Sequence, residues 1–163
     1  MIPKSIASVL TEIIAALARR SELAWGFTGS VGMNLQGMDL AIHDVDIQST
    51  ASDAYEIEHL LLPVAESAVS VGYRKSERIT SHFGEMRRGK IRIEIMGDVQ
   101  HFVPEKGWTS PPDFDAIRLW VLWDNSRVPV ISLEYERRAY YEIGRVERSQ
   151  EIERYLSART NLT

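Results

Sequence analysis

Two aspartates, Asp44 and Asp46, stand one residue apart in the segment AIHDVDIQS, which otherwise has the apolar character of an interior strand. Side chains alternate between the two faces of a strand, so both carboxylates are predicted to share one face while Val45 and Ile47 pack on the other. Aspartate is depleted in strands, which favours a specific role for the pair. We therefore take Asp44 and Asp46 as candidate metal ligands and catalytic residues.

A third acid, Glu94, stands in a strand of the same design. In the segment IRIEI every second residue is isoleucine, so the isoleucines are predicted to be buried while Glu94 projects from the opposite face. If the two strands are neighbours, three carboxylates converge on one side of the sheet. Like charges about 4 Å apart repel by roughly 1 to 4 kcal/mol, so such a cluster needs a proton or a cation. Carboxylates suit Mg²⁺ or Mn²⁺, and we predict that Asp44, Asp46 and Glu94 hold one ion, or two about 4 Å apart.

A glycine and a serine, Gly29 and Ser30, separate a short apolar strand from a predicted short helix at Val31 to Gln36. The first N–H groups of a helix attract phosphate, and glycine allows the backbone to approach it closely. Ser30 adds a hydroxyl donor, although it could simply cap the helix. We predict that Gly29 and Ser30 bind the phosphates of a nucleotide.

Two alternatives stay open for these candidates. The three acids could be solvated side chains on an exposed sheet face, and Asp98 could replace Glu94 as the third ligand. His82, in the segment SHFGE, could contact phosphates or an acceptor, although an isolated histidine more often has a structural or surface role. We include His82 among the candidate nucleotide-binding residues.

The elements that must position these residues follow from the spacing of the apolar side chains. The pattern predicts a mixed α/β (α+β) fold, a small mixed sheet flanked by helices, in one domain spanning residues 1–163. C-terminal helices from about residue 132 are expected to pack on it. The predicted helices are 4–20, 31–36, a helix capped by Ser52 or Asp53 and running to Leu61, 132–143 and a last one to about 158; the predicted strands are 24–28, 42–48, 71–74, 79–87, 90–96, 117–123 and 128–131, with a loop at 101–113.

Composition excludes several classes of function. The chain has 163 residues, a formal net charge of −4 and no cysteine. The lack of cysteine excludes disulfides, thiolate nucleophiles and cysteine-ligated metals, and the negative charge disfavours indiscriminate nucleic-acid binding. The N-terminal segment has the pattern of an amphipathic helix rather than a signal peptide, and no apolar run approaches about 18 residues. We expect a cytoplasmic protein without a membrane span.

The spacing of these motifs resembles a known signature. Gly29-Ser30, followed after thirteen residues by Asp44-Val45-Asp46, resembles the motif of the nucleotidyltransferase superfamily related to DNA polymerase β, and Glu94 stands where that superfamily has its third carboxylate. The chain is most similar to short bacterial and archaeal minimal nucleotidyltransferases. The similarity extends to SHFGE, IEIMGD and SLEYERRAYYEIGR.

The resemblance implies a metal-dependent transfer of a nucleoside monophosphate from a nucleoside triphosphate such as ATP to an unidentified hydroxyl acceptor, with release of pyrophosphate. Asp44 and Asp46 would bind the metal that carries the triphosphate, and Glu94 would help to position or activate the acceptor. The alternative is a non-catalytic nucleotide-binding or protein-interaction module, for example one component of a toxin–antitoxin-type pair. The aromatic strand 119–123 would also allow a homodimer.

Overall fold

A mixed sheet of eight strands forms the centre of the structure, a computed structural model that describes residues 1–160. The strands are β1 (Trp25–Thr28), β2 (Val45–Ser49), β3 (Glu66–Lys75), β4 (Ile79–Arg88), β5 (Ile91–Val103), β6 (Gly107–Trp108), β7 (Arg118–Trp123) and β8 (Ser126–Ile131). Their order across the sheet is β3-β4-β5-β2-β1-β8-β7, and the short strand β6 pairs with β5. The strands β2 and β5, on or beside which the predicted acidic residues lie, are therefore adjacent in the centre of the sheet.

Six helices accompany the sheet within residues 1–160. They are α1 (Lys4–Leu17), α2 (Gly29–Leu35), α3 (Ala51–Leu61), α4 (Phe114–Ile117), α5 (Leu133–Glu142) and α6 (Val146–Thr160). None of the helices in this described part of the chain is long and apolar enough to cross a membrane.

The main hydrophobic core lies between one face of the sheet and helices α1 and α3. Ile13, Ile57, Ile93 and Ile95 are fully buried in it, and burying one side chain of this size contributes about 1.5 to 3 kcal/mol. Helix α5 lies against the other face, where Gln48 Nε2 donates a hydrogen bond to the Tyr135 hydroxyl. The apolar face of β2 and β5 is thus dry, and their opposite face is left for polar side chains.

The register of the central strands fixes which residues are neighbours. β2 runs parallel to β5 with Asp46 opposite Glu94, and antiparallel to β1 with Asp46 opposite Thr28. Paired residues of neighbouring strands present their side chains on the same face. Backbone hydrogen bonding therefore places Asp46 between Thr28 and Glu94.

The predicted fold class is confirmed, while several element boundaries differ. Helix α2 begins at Gly29 with Thr28 in the N-cap position, rather than at Val31 with Ser30 as its cap. Thr50, rather than Ser52 or Asp53, caps α3 by accepting a hydrogen bond from the Asp53 N–H. The predicted strand 42–48 begins only at Val45, so Asp44 immediately precedes it.

The predicted loop 101–113 is partly strand. β5 continues to Val103 because its last residues pair with β4 and with β6. The short helix α4 then follows, with Asp113 as its cap. Turn-forming residues in this segment therefore mark the tip of a long hairpin rather than an unstructured connection.

Candidate active site

The three predicted acids line one cavity of about 1220 Å³ together with Ser30. Asp46 and Glu94 stand side by side on β2 and β5, and Asp44 lies one residue before β2. The structure thus brings Asp44, Asp46 and Glu94 together on the polar face of the sheet. Asp98, the alternative third acid, does not line this cavity and has a φ of +48° further along β5.

A guanidinium group lies among the carboxylates. Arg92 Nη2 is 2.6 Å from Asp44 Oδ2, and Arg92 Nε is 3.2 Å from Glu94 Oε1. Arg92 is two residues before Glu94 on β5, so strand alternation places both on the same face. In residues 1–160, no three carboxylate or histidine side chains are arranged to hold an ion as they stand. Arg92 supplies the positive charge that the acid cluster requires.

Burial and mutual repulsion shift the titration of two of these acids. Burial raises the pKa of Asp46 well above its usual range, and the nearby charges of Asp44, Glu94 and Glu136 raise it further, while Arg92 opposes the shift. Burial also raises the pKa of Glu94, and here too Arg92 acts in the opposite direction. Two adjacent carboxyls that ionise with difficulty are a common feature of sites that bind a cation or transfer protons.

Gly29 stands where the chain turns from β1 into α2, and a side chain at this position would force Asp46 to move. Its φ is +60°, in the left-handed region. A Cβ added at Gly29 would lie well inside van der Waals contact of Asp46 Oδ2. The glycine therefore lets the turn approach the Asp46 carboxylate, and it leaves Ser30 at the cavity wall.

A fourth carboxylate, which the sequence does not reveal, binds the turn at Gly29 through hydrogen bonds. Glu136 of α5 is buried, and its Oε1 accepts hydrogen bonds from the Thr28 hydroxyl and, at 2.9 Å, from the Gly29 N–H. The Gly29 N–H is thereby engaged, so it is not a free phosphate donor as the sequence predicted. Of the predicted pair, Ser30 is the residue whose side chain faces the cavity.

The Glu136 carboxyl is expected to make stability depend on pH. Burial raises its pKa to about 7, although the bonds from Thr28 and Gly29 favour the ionised form. A raised carboxyl pKa means that stability falls as pH rises from the unfolded value of 4.5 to about 7. The free energy of unfolding of wild type should drop by about 3 kcal/mol across this window relative to Glu136→Gln.

Urea unfolding at pH 5, 6, 7 and 8 measures this difference. Glu153→Gln, which removes an exposed carboxylate from α6, is the matched control and should track wild type at each pH. Parallel curves for wild type and Glu136→Gln would contradict the assignment.

His82 does not join the site, which corrects the sequence prediction. It pairs with Gly97 across β4 and β5, and a Cβ at Gly97 would meet Thr50 and Ala54 at the start of α3. Its Nδ1 is 2.8 Å from the Tyr55 hydroxyl of α3. His82 therefore lies on the face covered by α3, opposite to the carboxylates.

The wall opposite the acids is formed by the corner between α5 and α6. Tyr140, Arg145, Arg148 and Arg154 line it. In the sequence, the spacing of Arg145 from Glu142 and the other glutamates of the predicted C-terminal helix favours ordinary ion pairs along that helix. The surface turns toward the acids because α6 packs against α5 and buries Ile152 in an apolar cluster with Met33 of α2 and Leu133 of α5.

Comparison with solved structures defines the class of this protein. A protein assigned as a nucleotidyltransferase, TM1012 from Thermotoga maritima, is 35% identical, with 97% of this chain and 96% of that chain covered and a TM-score of 0.81. The fold is also shared with ANT(2″)-Ia in complex with adenylyl-2″-tobramycin (13% identity, 96% and 99% covered, TM-score 0.54). The lincosamide antibiotic adenylyltransferase LnuA with lincomycin bound is similar as well (12% identity, 90% and 97% covered, TM-score 0.50). The chain is a nucleotidyltransferase of the superfamily that its motifs indicated.

The family within that class follows from the sequence. Residues 9–154 match the model of the aminoglycoside-2″-adenylyltransferase family, and the chain belongs to this family. No curated protein matches the sequence significantly.

Proposed function

We propose that this protein transfers a nucleoside monophosphate from a nucleoside triphosphate to a hydroxyl group of a second substrate, with Mg²⁺ or Mn²⁺ as cofactor. The observation that carries the proposal is the parallel register of β2 and β5, which aligns Asp46 with Glu94 beside Asp44 and Ser30. The nucleotidyltransferase class of the chain supports it.

The donor set fits a divalent metal, because hard cations prefer carboxylate oxygens and the acid cluster already has a cation among its members. Asp44, Asp46 and Glu94 are the residues that would hold the ion. When bound there, Mg²⁺ would supply positive charge against the charge that develops on the phosphates.

The protein's own groups would orient the reactants. Ser30 would donate its hydroxyl to a phosphate oxygen, and Gly29 would let the backbone approach that phosphate. Glu94, whose pKa is raised by burial, would accept a hydrogen bond from the attacking hydroxyl and hold it in line with the α-phosphate. This arrangement relies on alignment and charge rather than on a covalent intermediate.

Arg92 competes with the metal in this scheme, and its removal is expected to tighten metal binding in the absence of nucleotide. One unit charge repels another by about 1 kcal/mol at 4 Å in water, and a divalent ion by about twice as much. A repulsion of about 2 kcal/mol corresponds to a factor of about 30 in affinity, so Arg92→Gln should bind Mn²⁺ up to about 30-fold more tightly than wild type, measured by the paramagnetic resonance of free Mn²⁺.

The matched control for this measurement is Arg88→Gln. Arg88 pairs with Glu12 of α1, away from the acids, and its loss should leave the Mn²⁺ affinity unchanged. Weaker binding by Arg92→Gln would show instead that the guanidinium holds the acids in place for the metal.

The experiment that tests the function measures pyrophosphate release from each nucleoside triphosphate with Mg²⁺ and a panel of acceptors. Tobramycin and lincomycin belong in the panel, because solved structures of the same fold contain adenylyl-2″-tobramycin or lincomycin. Phosphorylated and neutral sugars complete it. We expect release with one acceptor class, together with a mass increase of that acceptor by one nucleoside monophosphate, and no release by Asp44→Ala.

The alternative reading, a nucleotide-binding or interaction module, predicts a different result. Nucleotide would bind in an Asp44-dependent manner without pyrophosphate release with any acceptor. The homodimer also stays a prediction. Leu119, Trp120 and Leu122 are exposed on the edge strand β7, where a second copy would have to pair.

A further inference from the structure

The cavity beside the acids is large for one ligand. Its volume of about 1220 Å³ exceeds the roughly 300 to 1,000 Å³ typical of a pocket for one small molecule. The sheet side of the cavity carries the carboxylates and Ser30, and the opposite side is formed by the α5–α6 corner and α6. The wall formed by the α5–α6 corner and α6 is not needed to hold the metal, so its side chains indicate which substrate groups bind in the cavity.

Helix α6 presents one defined face to this cavity. Glu147, Gln150, Glu151 and Arg154 occupy positions i, i+3, i+4 and i+7 of one helix face and line it. The other face of the helix buries Ile152 against Met33 of α2. The orientation of the charged face is thus set by packing.

Two of the three arginines on this wall have no carboxylate partner. Arg148 Nη1 is 2.6 Å from Glu151 Oε2, so these two charges neutralise each other. Arg145 and Arg154 form no ion pair with any residue in the 1–160 range. Arg145 also lines the smaller cavity under α5, which it shares with Asp46 and Glu94, so it stands close to the reacting centre.

We propose that Arg145 and Arg154 form a binding site for an oxyanion group of a substrate. Guanidinium groups recognise phosphate and carboxylate through paired, charge-assisted hydrogen bonds. The oxyanion is either in the polyphosphate tail of the nucleotide or a phosphate or carboxylate of the acceptor. The assignment to a substrate rests on the proposed function, whereas anion binding by this wall does not.

Calorimetry with Arg145→Gln, Arg154→Gln and the double variant tests the site. The probes are Mg²⁺-bound α,β-methylene-ATP, AMP, and inorganic phosphate, which is added both to the free protein and to protein saturated with the ATP analogue. Arg138→Gln is the matched control, because Arg138 is an exposed arginine of α5 that lines neither cavity. All variants should melt within about 2 °C of wild type, since the changed side chains are exposed.

Either of two results supports the site and identifies the substrate that carries the oxyanion. If the polyphosphate tail of the nucleotide binds to Arg145 and Arg154, the double variant loses at least fivefold in affinity for the ATP analogue and keeps its affinity for AMP. If the acceptor binds here, nucleotide affinities are unchanged and phosphate affinity for the saturated protein falls at least fivefold. Unchanged affinity for all probes would overturn the proposal. Arginine-dependent phosphate binding by a protein that binds no nucleotide would refute the proposed function and leave the anion site standing.

Discussion

The Gly29→Ala variant is expected to lose at least about 100-fold in nucleotidyl transfer and to be less stable than wild type. The backbone at Gly29 has a φ of +60°, and a left-handed conformation costs an alanine about 1 to 2 kcal/mol. The added methyl group would also collide with the Asp46 carboxylate, and overpacking of this kind adds about 1 to 3 kcal/mol. Asp46 can yield only by leaving its place beside Glu94, and a shift of about 1 Å at a reacting centre can cost 100-fold in rate.

Gly89→Ala separates the two causes. Gly89 has the same φ of +60° in the turn between β4 and β5, but no heavy atom lies within 4 Å of its added Cβ. The control should therefore lose the backbone contribution alone, about 1 to 2 kcal/mol, and retain full activity. Equal stability losses and equal activities for the two variants would show that the contact between the turn and Asp46 is unimportant.

The Asp46→Asn variant is expected to lose about 1,000-fold in activity while becoming more stable in the metal-free state. Removing one group that stabilises charge in a transition state costs about 100- to 1,000-fold in kcat, and Asp46 is also a proposed metal ligand. Its carboxyl is buried among other acids and has a raised pKa. A raised pKa means that the folded state loses stability as this group ionises, so asparagine relieves the penalty, and more at pH 8 than at pH 5.

Thermal melting in the presence of a chelator measures the gain, which should exceed about 2 °C at pH 8, since 1 kcal/mol corresponds to about 2 to 4 °C for a chain of this size. Asp115→Asn is the control, because Asp115 is exposed at α4, where it pairs with Arg118 and is not part of the acid cluster. Added Mn²⁺ should raise the melting temperature of wild type and of the control, and it should leave Asp46→Asn unchanged. Stabilisation of Asp46→Asn by Mn²⁺ equal to that of wild type would remove Asp46 from the ligand set.

The polar face of the sheet was predictable because its pattern is strict. Alternation in IRIEI and around Asp46 determines which side chains share a face of each strand. The acids of the two strands then come together once β2 and β5 are neighbours in the sheet. Arg92 could have been found by the same argument, since it stands two residues before Glu94. The start of α2 was misplaced because capping rules consider local partners, whereas the Gly29 N–H bonds to a side chain of α5.

The second half of the site is not readable from local patterns. Glu136 and Arg145 belong to a helical segment whose charges are spaced for ordinary ion pairs, and nothing within a turn or two distinguishes them. Their roles arise when α5 crosses the polar face of the sheet and α6 packs on α2. His82 was included for its residue type alone. Residue type does not indicate which face of the strand a side chain occupies, and His82 lies on the face where it contacts Tyr55.

The bond from Gly29 to Glu136 spans 107 positions of the chain, and this separation has a consequence for the order of assembly. Closing so long a loop is slow, because its entropy must be lost before the contact forms. During synthesis the turn at Gly29 cannot form this hydrogen bond until helix α5 has emerged and packed against the sheet. Nucleotide recognition should therefore be among the final properties to appear as the protein folds, after the sheet has already acquired protection from hydrogen exchange.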